Sequence, residues 1–260
     1  MDDSEKIDLN ISDFTNDSEK IDLNISDFTN DLEKINFNFL FIEEQIKEFK
    51  YNQDKIGIRN GFTENGIKLP SMIESFYNYI FKNQKLPDFK KYMDSYMKEN
   101  SNWFEEYKKE YKKEYKENSN WFGEKYKEKE LENIIISIEN GIKYRLWKSF
   151  PSFIRDLHFC LLLKSKTNLN VTYNKTLDIE YGIDILINHN NLNFGVKLYT
   201  DTKNGNFYRK QKDKRHLSYN NIINIDLSLD LKKCKTCGDI YLYSQNEIEL
   251  LNAEMAKRSS

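Results

Sequence analysis

Hydrophobic and polar positions change period along this chain, and the changes divide it into three parts. From Phe37 to Tyr51, the apolar residues Phe37, Leu40, Phe41, Ile46 and Phe49 recur at helical spacing among Glu and Lys. Ser71 starts a second helical run, SMIESFYNYIFKN, with Glu74 three residues on as a capping-box partner. Pro87 opens a third, DFKKYMDSYMKEN. Between the first two, Gly57–Pro70 holds three glycines and a proline, which is turn chemistry. From Lys127 onward the apolar set Leu131, Ile134, Ile135, Ile138, Ile142 and Leu146 predicts an amphipathic helix, and Pro151 opens another at PSFIRDLHFCLLLKS.

Strand-like alternation follows. VTYNKTLDI, YGIDILINH, LNFGVKLYT, NIINIDLSL and DIYLYS read as successive strands, with NHNN as a tight turn between the second and third. A closing helix is expected over Gln245–Met255. The order helix, helix, strands, helix predicts an α/β fold, with α+β as the alternative, in a C-terminal core of about 130 residues.

Two repeats interrupt this plan. Asp3–Asn16 reads DSEKIDLNISDFTN, Asp17–Asn30 repeats it residue for residue, and a decayed third copy begins DLEKINFNF at Asp31. Two identical copies of so short a unit do not make a stacked array, so a poorly ordered acidic head is expected. An acidic arm over a basic groove is the alternative. ENSNWF occurs at Glu99–Phe104 and again at Glu117–Phe122, which sets Trp103 and Trp121 on one helical face with Tyr107, Tyr111 and Tyr115 between them. A charged surface helix laced by Glu–Lys pairs and an aromatic-basic helix lying along nucleic acid are both open readings. The expected organisation is residues 1–33 acidic head, 34–126 helical region with the aromatic repeat, and 127–260 core.

Charge alters the picture more than composition does. The formal net charge is −2, but from Met1 to Glu33 eleven acidic residues face only Lys6 and Lys20, so the rest of the chain carries +7. Overall near-neutrality therefore leaves room for a polyanionic partner. Without an apolar run of membrane length or an apolar leader-like start, a cytoplasmic protein with no membrane partner is expected. The three cysteines do not form a disulfide framework. Cys234 and Cys237 form a CxxC with no second pair to complete a zinc site, so a turn between strands is the expected reading. No phosphate-binding loop, dinucleotide fingerprint or serine elbow occurs.

The chemistry concentrates between Leu177 and His216. Alternation places Asp184, Leu186 and Asn188 on one face of a strand, and Gly195, Lys197 and Tyr199 on one face of the next. A carboxylate and a lysine on adjacent strands suit metal-assisted phosphodiester cleavage. Beside them, TKNGNFYRKQKDKRH carries Lys203, Arg209, Lys210, Lys212, Lys214 and Arg215, with Phe207, Tyr208 and His216 interleaved, a set able to hold backbone phosphates.

This arrangement resembles the PD-(D/E)XK nuclease superfamily, over about Leu131 to Tyr243. The resemblance implies a restriction-endonuclease-like core with a mixed central sheet flanked by helices. It also implies a Mg²⁺-dependent endonuclease acting on double-stranded DNA and allows a homodimer. On it, Asp184 is the metal-binding Asp, Lys197 the catalytic Lys, and Glu139 the helical acid that shares the metal. Gly195 departs from the pattern, because it stands where the tripeptide has its acid. A binding-only relative of the fold is therefore the alternative, and an interaction protein working through its acidic head and aromatic helix is a third.

Overall fold

The computed structural model describes residues 22–50, 69–118, 124–203, 205–207, 209 and 219–259. Helices α1 (Phe39–Lys47), α2 (Met72–Asn83), α3 (Phe89–Glu99) and α4 (Ser101–Asn118) lead into a long α5 (Glu124–Lys166). The Ser71 cap forms where the sequence predicts it, its Oγ accepting from the Glu74 N–H; the next helix is capped by Asp88, one residue after Pro87, whose carboxylate accepts from the Lys91 N–H. Only half of the expected capping box exists at Ser71, because the Glu74 carboxylate pairs with Lys175 at 2.9 Å instead.

Pro151 does not open a new helix; α5 runs through it. An interior proline costs a helix about 3 kcal/mol. Here Phe150 and Ile154, on the turns either side, are buried in the main core and hold the axis in place. Phe150 stacks on Tyr92 and meets Phe76 and Phe89 edge-on, so α2, α3 and α5 share one aromatic cluster. In α4, Trp103 stacks on Tyr107, and both pack against that core along with Tyr111. Trp121 lies outside the described residues.

Strands β1 (Asn170–Thr172), β2 (Ile185–His189), β3 (Leu192–Thr200) and β4 (Ile223–Leu229) form one sheet in that order, β1–β2–β3 antiparallel and β3–β4 parallel. The fold is thus α/β, a mixed four-stranded sheet with a helical N-terminal region. The β2–β3 turn is made by Asn190 and Asn191, both at positive φ, as the NHNN stretch predicts. One strand expectation fails. Of VTYNKTLDI only the first two residues join β1, and Lys175–Tyr181 forms helix α6. The Asn174 side chain accepts from the N–H groups of Thr176 and Leu177, and Gly182, at φ 68°, ends the helix in the left-handed region. Strands β5 (Lys235–Cys237) and β6 (Ile240–Leu242) form a small hairpin, and α7 (Gln245–Ser259) closes the chain along β4.

The sheet separates two hydrophobic clusters. Ile185, Ile187, Phe194, Val196, Ile225 and Leu227 join the main core with α5, whereas Leu186, Ile183, Leu177 and Ile222 form a smaller cluster on the other side. Leu23, Ile25 and Phe28 complete that smaller cluster. The expectation of a poorly ordered acidic head therefore does not hold for residues 22–33, because part of the second repeat copy is packed on the sheet. Among the described residues no helix is long and apolar enough to cross a membrane.

Candidate functional site

Strand β2 begins one residue after Asp184, while β3 runs on to Thr200. Continuing the register from Ile185↔Val196 by one step sets Asp184 opposite Lys197. Two hydrogen bonds fix that step: Asp184 N donates to Val196 O at 3.1 Å, and Leu198 N donates to Asp184 Oδ2 at 2.6 Å. They bracket Lys197 from either side. The carboxylate thus occupies the edge of β3 where β2 has not yet started. Both residues of the pair are only 7% exposed.

Cys160 and Tyr243 are buried groups with several carboxylates around them, those of Asp156 and Asp184 among them. Burial raises the Cys160 thiol well above its ordinary pKa, and Asp156, Asp184 and Asp178 push it further in the same direction. Burial likewise raises the Tyr243 phenol, with Asp156 acting upward, Arg155 downward, and Asp184 and Glu247 upward. Asp156 precedes Cys160 by one helical turn on the same face of α5. The fields of Asp156 and Asp184 therefore meet on the same two buried groups. Tyr243 also donates its hydroxyl to Tyr199 O at 3.1 Å, tying this corner to β3.

Glu139 is not the acid brought to the hairpin. It precedes Asp156 by 17 residues on α5, roughly 25 Å along the axis at helical rise. Its carboxylate is held by Lys108 of α4 at 3.0 Å, beside a small apolar cleft lined by Phe104, Tyr107 and Ile142. Asp156 carries a weak sequence signal: it lies on the long helix before the sheet, five residues after Pro151 and next to Arg155.

Gly195 is closed to any side chain. A Cβ there would lie 2.8 Å from Ile222 Cγ2, 3.3 Å from Asn224 Oδ1 and 3.4 Å from Ile183 Cγ1. Besides lacking the tripeptide's acid, this position has its space filled by the smaller hydrophobic cluster.

The parallel ladder sets Asp226 of β4 beside Lys197. Arg209 donates to Asp226 through Nε at 2.8 Å and through Nη2 as well, with its side chain 9% exposed. Arg209, expected to hold phosphate, is thus engaged with a protein carboxylate. Lys203 is exposed beyond the end of β3. Lys210, Lys212, Lys214, Arg215 and His216 lie outside the described residues.

At the far hairpin, Cys234 and Cys237 are free thiols; Cys237 Sγ donates to Glu43 O at 3.1 Å, and Cys234 Sγ to Leu231 O at 3.6 Å. Among the described residues no three His, Cys, Asp or Glu side chains form a metal-ligating group. Asp156 and Asp184 offer hard carboxylate oxygens, and Mg²⁺ typically takes one or two carboxylates together with waters and substrate phosphate oxygens. Carboxylate oxygens of this kind suit a hard cation rather than a thiolate-type metal. No protein-family model, curated protein or solved structure matches the chain.

Proposed function

We propose that this chain is a Mg²⁺-dependent DNA endonuclease, restriction-enzyme-like, working at the mouth of the β2–β3 hairpin. The observation that carries the reading is the placement of Asp184 opposite Lys197, fixed by the Leu198 N–H bond, with the field of Asp156 converging from α5. This is the layout implied by the PD-(D/E)XK resemblance, with Asp156 in the role first assigned to Glu139. Asp184 and Asp156 are the residues to hold the ion, which when bound polarises the scissile phosphate and lowers the pKa of a water.

The remaining work falls to the chain's own groups. Lys197 supplies positive charge against the phosphate oxygens as negative charge develops, and its near-complete burial strengthens that effect. Leu198 N–H holds the Asp184 carboxylate at one oxygen and so fixes its orientation. Arg209 takes a positioning role by gripping Asp226 of β4, while the exposed Lys203 meets the backbone phosphates.

The test is plasmid cleavage with Mg²⁺ or Mn²⁺, for the wild type beside Asp184→Asn, Asp156→Asn and Lys197→Met. Loss of cleavage in all three with DNA binding kept supports the reading, and unchanged cleavage in Asp184→Asn removes it. Gly195 favours a second reading, a non-catalytic DNA-binding protein, because the tripeptide's acid is missing and its space is filled by Ile222. Salt-dependent DNA binding by the wild type without cleavage under any divalent ion selects that reading.

A further inference from the structure

Residues Asp22 to Asp31, the last nine of the second repeat copy and the first of the third, lie in a groove formed by β1, α6 and the approach to β4. Leu23, Ile25 and Phe28 fill the smaller hydrophobic cluster, and Phe28 meets Tyr181 edge-on at 5.6 Å. The polar contacts are specific. Leu23 N donates to Asn221 Oδ1 at 3.0 Å, and Asn221 Nδ2 returns to Leu23 O at 2.7 Å. Asn30 reads the free edge of β1 with both ends of its amide, donating to Val171 O at 2.9 Å and accepting from Tyr173 N at 3.2 Å. Asn174 donates to Thr29 O at 2.9 Å. Asp31, buried, donates its N–H to Tyr173 O at 2.7 Å and accepts from Lys175 N at 3.0 Å.

Every residue that makes these contacts has an identical counterpart fourteen positions earlier. Leu9, Ile11, Phe14, Thr15, Asn16 and Asp17 stand to the first copy as Leu23, Ile25, Phe28, Thr29, Asn30 and Asp31 stand to the second. The identity ends at the edge of the groove, since the next residue is Ser18 in one register and the buried Leu32 in the other. We infer that this groove is a binding site for the DLNISDFTND segment, and that the first copy, Asp8–Asp17, is its second occupant, exchanging in cis with Asp22–Asp31.

In the exchanged register residues 18–31 leave the groove as a closed loop, and the chain turns aside at the Asp31–Leu32 peptide to let the first copy in. The groove contacts of Leu23 to Asn30 are taken over by Leu9 to Asn16, so the main difference between the registers is the closure of a fourteen-residue loop. That closure scales as the three-halves power of length and holds the exchanged register to roughly one molecule in fifty. A first copy from another molecule competes at its bulk concentration against a tethered one at millimolar effective concentration, so exchange is intramolecular.

The test compares four full-length chains: wild type, Leu9→Asp/Phe14→Ala, Leu23→Asp/Phe28→Ala, and all four substitutions together. Hydrogen exchange by mass spectrometry reads the copies separately in the variants, because the substitutions distinguish the otherwise identical peptides. The first-copy variant is expected to match wild type in stability. In the second-copy variant, protection moves to residues 8–17 and the folded-to-unfolded ratio falls about fifty-fold, the loop-closure penalty. The four-fold variant loses protection in both copies and falls further, and a synthetic DLNISDFTND peptide added to it restores stability. If the second-copy variant fails to fold or is no more stable than the four-fold one, the inference is overturned. Concentration-dependent dimerisation of the second-copy variant equally overturns exchange in cis.

Discussion

Leu198 donates its backbone N–H to the Asp184 carboxylate across 2.6 Å, on the stretch of β3 that β2 leaves unpaired. An edge amide that would otherwise face solvent or a partner strand is thereby satisfied, and the acid is fixed in orientation. Asp184→Asn keeps an acceptor and loses the charge, so about 1 kcal/mol of stability is expected to go. Asp184→Ala leaves the part-buried Leu198 N–H without its acceptor and costs more, about 1–3 kcal/mol. Denaturant titration of both variants checks the order; equal stabilities would remove the bond's structural role. On the proposed function both variants lose cleavage completely, whatever their stability.

Glu139 and Asp156 lie on one helix, and the proposed function gives them different work. Glu139→Gln breaks a partly exposed pair with Lys108 and is expected to cost at most about 1 kcal/mol. Its DNA cleavage should stay within about twofold of wild type, a difference of under 0.5 kcal/mol in barrier. Asp156→Asn is expected to abolish cleavage. A cleavage assay in which Glu139→Gln is the dead variant would return the helical acid to Glu139.

The space at Gly195 gives a test in steric terms. Gly195→Ala brings a Cβ within 2.8 Å of Ile222 Cγ2, and overpacking of this kind costs about 1–3 kcal/mol. Ile222→Ala removes the clashing methyl, so Gly195→Ala should cost less in that background than in wild type. The coupling is read from a double-mutant cycle in chemical denaturation. Additive costs would show that the contact does not set the requirement for glycine.

Acid stability should follow two groups in sequence. Glu43 of α1 accepts from His158 Nε2 at 2.9 Å and from Lys235 at 2.6 Å, so α1, α5 and β5 meet at one carboxylate. Burial lowers the His158 pKa below its ordinary 6.5, more than the Glu43 partner raises it. The folded imidazole is therefore neutral while the unfolded one protonates first, and stability falls as the pH drops below about 6.5. Burial raises the Glu43 pKa, but Lys235 and His158 outweigh it and leave the net value below 4.5. Its contribution is present above 4.5 and lost as the pH falls through the lower folded value. His158→Gln should flatten the upper part of the melting-temperature-against-pH curve, and Glu43→Gln the lower part. Unchanged curves in both variants would rule out this clasp.

The sequence yielded the Asn-Asn turn and β3 residue for residue, because alternation, turn chemistry and β-branched content agree there, while β2 starts four residues later than its YGIDILINH stretch suggests. It also yielded the Ser71 cap, which depends on a neighbour three residues away. It misread Lys175–Tyr181, where the same apolar spacing serves a strand or a short helix and the Asn174 cap decides for helix. It broke α5 at Pro151, where burial of Phe150 and Ile154 outweighs a local penalty. The docking of residues 22–31 was likewise hidden, because an acidic composition conceals how well Leu23, Phe28 and Asn30 fit a groove assembled from residues far along the chain.

The Asn30 amide grips β1 at the margin of the sheet, where backbone donors and acceptors would otherwise stand open. An uncovered strand margin is a template on which further molecules pair and from which aggregates grow. Shielding it by a clamp carried twice in the chain means that damage to one copy need not release polymerisation. A coding duplication of fourteen residues, repeated without a single change, then acts as insurance for the solubility of the whole protein.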